Sequence, residues 1–204
     1  MSPLGAMVAA AVFAYLLGCL EGGYYFVRFR TGHDIREHGS GGTGARNAGR
    51  VLGRSGFLTV FIIDCLKAIA ALWLATAVGS GRIGMACAAI AVVLGHIFPV
   101  QLHFRGGKGA SSALGALLVL TPEVAITSLL VSAAFYLISR KAVASGVATF
   151  ALMPAFAIMF GSSTSDLIAV AAITVLLLAT HRSSLAGIAG VFRRGKPVTR
   201  ESAR

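Results

Sequence analysis

The sequence predicts an all-α integral membrane protein of seven transmembrane helices, and three observations carry that prediction. Of 204 residues, 56% are hydrophobic and 12% charged, with a mean hydropathy of +0.82, too little polar surface to cover a water-soluble globule. The apolar residues gather in seven runs, at about 4 to 27, 55 to 78, 83 to 104, 109 to 121, 123 to 139, 142 to 160 and 165 to 180. The basic residues, finally, sort cleanly between the loops that join those runs.

The first run lacks the basic start of a cleavable signal peptide and is long enough to span, so it reads as a retained first helix. The second and third also have spanning length but carry ionisable residues. The fourth is the weakest. Its 13 or so residues reach about 20 Å at the helical rise, against a hydrocarbon core of about 30 Å, which leaves it tilted, short or re-entrant. The last three follow at spanning or near-spanning length.

Seven spans place the two chain ends on opposite sides. One side then receives Arg28, Arg30, Arg36, Arg46, Arg50, Arg54, Arg105, Lys108, Arg140, Lys141 and six more between Arg182 and Arg204, while the other receives only Arg82 and Lys67 lies within a span. A wrong count of spans would mix the charges, so the N-terminus is expected outside and the C-terminus in the cytoplasm. Residues 1–190 read as one transmembrane domain and 191–204 as a basic cytoplasmic tail. The net charge of +11 is thereby explained by positive loops at a membrane face, and nucleic acid is not expected as a partner. Cys19, Cys65 and Cys87 all lie in apolar runs without metal-ligand spacing and read as small packing residues.

Four polar segments emerge on the basic face: "GHDIREHGSGGTGARNAGR" (32–50), "HFRGGKGASS" (103–112), "SRKAVASG" (139–146) and "HRSSLAG" (181–187). Within "GSGGTG" the small residues let backbone amides close on an anion, and Arg36, Arg46 and Arg50 add charge and bidentate donors. The segment "FRGGKGASS" repeats the recipe with Arg105, Lys108, Gly106, Gly107 and Gly109, and a helix starting near Ala110 would add a partial positive end. Neither segment has the spacing of a nucleotide P-loop. Flexible positive-inside loops would explain the arginines but not the paired glycines.

Inside the runs stand Glu21, Asp64, Lys67 and His96, costly at membrane depth and therefore expected to face the bundle interior. Counted at the helical rise, they lie about 10 to 18 Å from the cytoplasmic ends of their runs. Asp64 and Lys67, three apart, share a helix face; they form either a local ion pair or a site in which Lys67 points toward a buried anion. His96, in "LGHIFPV", is either a hydrogen-bonded core histidine or a functional one. No Ser-His-Asp arrangement, HExxH or cysteine cluster is present, and acid-base candidates are limited to His96, His181, His33, His38 and His103. A transferase built from such parts would act by binding phosphates and positioning reactants around an activated donor.

The segments "DIREHGSGGTGARNAGRVLG", "DCLKA", "LGHIFPVQLHFRGGKGASSALG" and "HRSSL" resemble, in order and spacing, the bacterial acyl-phosphate:glycerol-3-phosphate acyltransferases, the PlsY family. The resemblance implies a multi-pass enzyme of the bacterial inner (cytoplasmic) membrane. Such an enzyme moves a fatty acyl group from acyl phosphate to the 1-hydroxyl of glycerol 3-phosphate, giving lysophosphatidic acid and phosphate at the start of phospholipid synthesis. Its partners would be those two substrates and membrane lipids, with no acyl-CoA, metal or other cofactor. Carried over by position, Ser40, Gly41, Arg46, Asn47, Arg50, Lys67, Gly106, Gly107, Gly109, Arg140 and Ser184 are expected to bind substrate, and His96, His181 and Lys108 to take part in catalysis. Lys108, Arg50 and Ser40 would hold phosphate. The two histidines would orient a phosphate or polarise the attacking hydroxyl, and the leaving phosphate can itself accept the proton.

The chain departs from the pattern at identifiable places. Cys19, Leu20 and Glu21 replace Ser-Ile-Pro, Gly42 replaces Asn, Arg46 replaces Thr, Val143 stands where serine is expected and Ser184 replaces Asn. Other readings of the same residues are a paralogue taking a different hydroxyl acceptor, an organic-anion transporter, for which no inverted repeat is visible, and a non-catalytic lipid-binding scaffold.

Overall fold

A computed structural model describes residues 1–182, so Ser184 and the basic tail lie outside the described residues. Within them the regular structure is helical, with eight α-helices, two short 3-10 turns and no strand.

Helix α1, Pro3–Gly18, starts where Ser2 accepts the Gly5 amide at 3.2 Å and proline occupies the first turn, two features that suit a helix start. The first apolar run predicts one continuous helix, but the chain leaves α1 at Cys19, passes through an extended Glu21 and begins again as α2, Gly22–Thr31. A break at membrane depth is tolerable only if the freed backbone groups find partners. Here they do: the Gly18 and Leu20 carbonyls accept from Lys67 Nζ at 2.9 and 2.8 Å, and the Cys19 carbonyl accepts from the Gln101 side-chain amide.

Helix α3, Ala45–Ala77, begins well before the second predicted span and is interrupted at Gly53. With φ 70° and ψ −160°, Gly53 occupies a conformation that only glycine adopts without strain. The polar first segment therefore read as loop and the apolar remainder as span. Helix α4, Gly81–Ile97, leads into the turn Val100–Leu102, and α5, Ala110–Leu120, is short as expected, with 11 residues. It packs against α3, α4, α6 and α8 rather than standing alone in lipid. The bundle closes with α6, Pro122–Ser139, α7, Ala142–Met159, and α8, Thr164–Thr180.

Five stretches, Pro3–Thr31, Ala45–Ala77, Gly81–Leu102, Pro122–Ser139 and Ala142–Met159, are long and apolar enough to cross a membrane, while α5 and α8 are apolar but shorter. The core is built largely from alanine and valine, with Leu72, Leu117, Ile173 and Leu177 filling the gaps. Where α1 crosses α4 a side chain at Gly95 would meet the Tyr15 carbonyl and one at Gly18 the Val92 carbonyl, the small-residue contact that lets helices approach closely in lipid. At one end of the bundle Arg82 clamps Asp166 at 2.8 to 3.0 Å and donates to the Leu120 carbonyl at 2.7 Å, joining α4, α5 and α8. At the opposite end the first turns of α3, α5 and α7 meet the last turns of α4 and α8 around one cleft.

Candidate functional site

The loop before α3 is organised by Asn47. Its Oδ1 accepts the Ser40 amide at 3.0 Å, and its Nδ2 lies 3.1, 2.9 and 2.9 Å from the carbonyls of Ile35, His38 and Gly42. The side chain is buried and folds the segment back over the first turn of α3, presenting Ser40 and Gly42 to the cleft. Arg36 behaves otherwise than its place beside the glycines suggests. Its guanidinium grips Asp34 at 2.7 to 3.1 Å, donates to the Leu102 carbonyl at 3.2 Å and lies over the Tyr24 ring. The hydrogen bonds from Arg36 hold the Asp34 carboxyl below its ordinary range against the opposing effect of burial. This arginine secures the loop, its guanidinium already engaged by Asp34, the Leu102 carbonyl and the Tyr24 ring.

The second loop turns back on the end of α4: the Gly106 amide donates to the Ile97 carbonyl at 3.2 Å and the Gly107 amide to the His96 carbonyl at 3.0 Å. Gly107 lies so close to the imidazole that a Cβ there would meet His96 Nε2. On the far side the Lys108 carbonyl accepts from the Thr180 hydroxyl at 2.9 Å, which fastens the loop to α8.

Between the loops lies a cleft of about 680 Å³. Its polar end carries Ser40, Arg46, Arg50, Lys108, Lys141 and His181, and none of its described lining residues is acidic. The first turns of α3, α5 and α7 (Ala45 and Arg46, Ala110 and Ser111, Ala142 and Val143) all line it, and no side chain caps the amides of those helices. Three free helix starts and four cations thus face one space, an arrangement suited to phosphate. The other end is apolar, walled by Phe57, Phe61, Leu114, Leu117, Leu129 and Met153. Phe57 and Leu129 remain exposed, so this end is open rather than sealed in the core.

Burial, with Arg46 and Arg50 nearby, lowers the Lys108 ammonium pKa. His181 is also held below its ordinary pKa, first by burial and then by the Lys108 and Arg46 charges, against a hydrogen bond to the Leu177 carbonyl that works the other way. That bond, Nδ1 to the carbonyl at 2.8 Å, requires the proton on Nδ1 and leaves Nε2 as the free base. Phe150 packs against the ring at 5.5 Å between centroids and fixes its tilt.

Beneath the cleft Lys67 sits 3.1 Å from Asp64 and 3.6 Å from Glu21, and His96 Nδ1 lies 2.9 Å from Lys67 Nζ and 3.1 Å from Glu21 Oε1. The Asp64–Lys67 pair anticipated from the three-residue spacing exists and is part of a buried cluster of four. Lys67 also donates to the Gly18 and Leu20 carbonyls at the α1–α2 break and is not among the residues lining the cleft.

Of the residues singled out in the sequence, Ser40, Arg46, Asn47, Arg50, His96, Lys108, Gly109 and His181 come together at the cleft. Gly41, Gly106 and Gly107 shape the loops without lining it, and Arg140, at the left-handed end of α6, is not among its lining residues. Lys141, Ala142 and Val143 stand where Arg140 was expected. Lys141 already belonged to the basic set, and the left-handed Arg140 and non-helical Lys141 between α6 and α7 distinguish the two neighbours by backbone conformation alone. Phe57 and Phe61, which begin the apolar wall, had no signal beyond hydropathy.

Fold and cleft together define a multi-pass helical membrane protein with a cationic pocket continuous with an apolar groove. Residues 8–190 match the family model described as glycerol-3-phosphate acyltransferase. The chain belongs to that acyltransferase family. It is 37% identical over 172 residues to "Glycerol-3-phosphate acyltransferase 1" of Desulfitobacterium hafniense (strain Y51), covering 84% of this chain and 85% of that one. It is 42% identical over 161 residues to the "Glycerol-3-phosphate acyltransferase" of Synechococcus elongatus, covering 72% and 76%. A crystal structure of PlsY (YgiH), an integral membrane glycerol 3-phosphate acyltransferase in its glycerol 3-phosphate form, superposes with a TM-score of 0.85 at 30% identity, over 92% of this chain and 94% of that one. The lysophosphatidic acid form of PlsY gives 0.84 at 28% identity.

Proposed function

We propose that the chain transfers a fatty acyl group from acyl phosphate to the 1-hydroxyl of glycerol 3-phosphate, releasing lysophosphatidic acid and inorganic phosphate. The observation that carries this reading is the two-ended cleft: cations and free helix starts at one end, an open apolar wall at the other. Two phosphate groups fit the first and an acyl chain the second. Ser40, Arg50 and Lys108 hold phosphate, with Arg46 and Lys141 adding charge. The hydroxyl oxygen attacks the acyl carbonyl carbon, the bond from that carbon to the phosphate oxygen breaks, and the hydroxyl proton passes to His181 Nε2 or to the departing phosphate. Asn47, Gly41, Gly106 and Gly107 shape the two cradles. His96 fixes the second of them, and Lys67 holds the α1–α2 break beneath it.

The basic loops on the cleft face support seven passes, with the N-terminus outside and the cleft on the cytoplasmic side of a bacterial inner membrane. Residues 1–190 form the single catalytic domain and 191–204 its tail, and Ser184 is assigned to substrate through the family pattern alone. Purified protein given acyl phosphate and glycerol 3-phosphate should form lysophosphatidate and phosphate in equal amounts; formation of neither contradicts the reading. A second reading rests on Gly42, Arg46 and Val143, all departures from the family pattern and all on the cleft wall. Acyl-phosphate turnover that ignores glycerol 3-phosphate but requires another hydroxyl acceptor would favour it.

A further inference from the structure

Glu21 stands where the family pattern carries proline, is fully buried, and touches both halves of the cleft's foundation. Its Oε2 accepts from the Thr43 hydroxyl, and its Oε1 lies 3.1 Å from His96 Nδ1 and 3.6 Å from Lys67 Nζ. Thr43, itself fully buried, immediately precedes Gly44, the cap of α3, between the Gly42 and Arg46 that line the cleft. The opposite nitrogen of His96 faces Gly107, whose amide is hydrogen-bonded to the His96 carbonyl. Thr43 is hydrogen-bonded to Glu21, and Glu21 pairs by charge with Lys67 and lies against His96. Lys67 meets His96 Nδ1 at 2.9 Å, and His96 packs on Gly107, so a continuous path joins the first anion loop to the second.

Asp64 does not duplicate that path. It lies 3.1 Å from Lys67 and 3.7 Å from His96, and none of the hydrogen bonds or ion pairs of the described residues joins it to the first loop. Thr43 supplies the hydrogen bond that the buried Glu21 carboxylate receives at Oε2, and losing it would leave that oxygen unsatisfied, so this charge-assisted link is stiff. A surface contact between the loops would yield easily. This one is anchored below both of them.

We propose that Glu21 is a positioning residue that fixes the spacing of the two anion loops, and with it the distance between the two phosphates the cleft holds. The kinetic consequence rests on the acyltransferase reading. The mechanical one does not.

Hydrogen–deuterium exchange of the full chain in detergent, for the wild type, Thr43→Val and Glu21→Gln, separates the two. Thr43→Val keeps the shape of a buried side chain and removes only the hydroxyl, so it decides the matter even where Glu21→Gln fails to fold. The hydrogen-bonded amides of Ser40 and Gly41 in the first loop and of Arg105, Gly106 and Gly107 in the second should exchange about tenfold faster in Thr43→Val, a loss of protection of the size a single charge-assisted bond supports. The amides around Arg82 should be unchanged. Acceleration confined to the first loop, no acceleration, or uniform acceleration along the chain would each overturn the proposal. In the assay, KM for glycerol 3-phosphate should rise about tenfold with kcat held within about threefold; a folded Thr43→Val enzyme with wild-type KM would also overturn it. A wild type that ignores glycerol 3-phosphate while both loops still loosen together in the variant contradicts the acyltransferase reading and leaves the Glu21 link standing.

Discussion

The Thr180 hydroxyl shares its one proton between the Lys108 carbonyl at 2.9 Å and the Leu177 carbonyl of its own helix at 3.0 Å, a three-centre bond that ties the glycine-rich loop to the end of α8 and links Lys108 to His181 across the cleft. Thr180→Val removes that bond with little change of shape. A typical net hydrogen bond of about 1 kcal/mol corresponds to roughly fivefold, and kcat should fall by about that factor while the thermal midpoint barely moves. A kcat equal to wild type would show that the loop is held by its glycines alone.

Arg46 is the cation that the family pattern does not provide, and its effect is electrostatic. His181 is held below its ordinary pKa by burial and by the Lys108 and Arg46 charges, and Lys108 by burial and by Arg46 and Arg50. The free-base form of His181 exists above its pKa and the charged form of Lys108 below its own, so activity lies between the two. Arg46→Thr removes a charge that depresses both groups, and both limbs of the pH profile of kcat/KM should move to higher pH. An acid limb that stays in place or moves down contradicts a role for His181 as base.

Two glycines of the cleft loops should respond in opposite ways. A methyl group at Gly107 would enter the His96 ring, which Lys67 Nζ backs from the other side at 2.9 Å from Nδ1, and forced overpacking of this kind costs about 1–3 kcal/mol. Gly107→Ala should therefore lower both the thermal midpoint and activity. At Gly42 the nearest atoms to an added Cβ are 3.9 Å away. Gly42→Asn, which restores the family residue, should fold like wild type and change only KM for the phosphorylated acceptor. A stable, active Gly107→Ala protein would show that the His96 contact does not constrain the loop.

The helical membrane class, five stretches of spanning length, the shortness of α5 and the gathering of the described basic loops at the cleft were legible because hydropathy and charge are properties of the chain in one dimension. What escaped depends on partners that sequence spacing does not reveal. Lys67 donates to carbonyls 49 and 47 residues away, and the α1–α2 break it supports leaves hydropathy almost unchanged; only Glu21 followed by two glycines marked it. Arg36 looked like a phosphate ligand by its place next to the glycines, although Asp34, two residues earlier, already offered a partner. Arg140 and Lys141 are neighbours in sequence, and the turn of one residue puts Lys141 on the cleft.

The most direct test of the cleft as the place of acyl transfer is the rate of lysophosphatidate formation by purified Lys108→Ala, measured together with its thermal unfolding. Lys108 sits in a loop with its ammonium toward the cleft wall and contributes no core volume, so the variant should unfold near the wild-type temperature. Removing a preorganised charge that stabilises the transferring phosphate should cost about 10²–10³-fold in rate. Wild-type rates from a folded Lys108→Ala protein would contradict the assignment of the cleft.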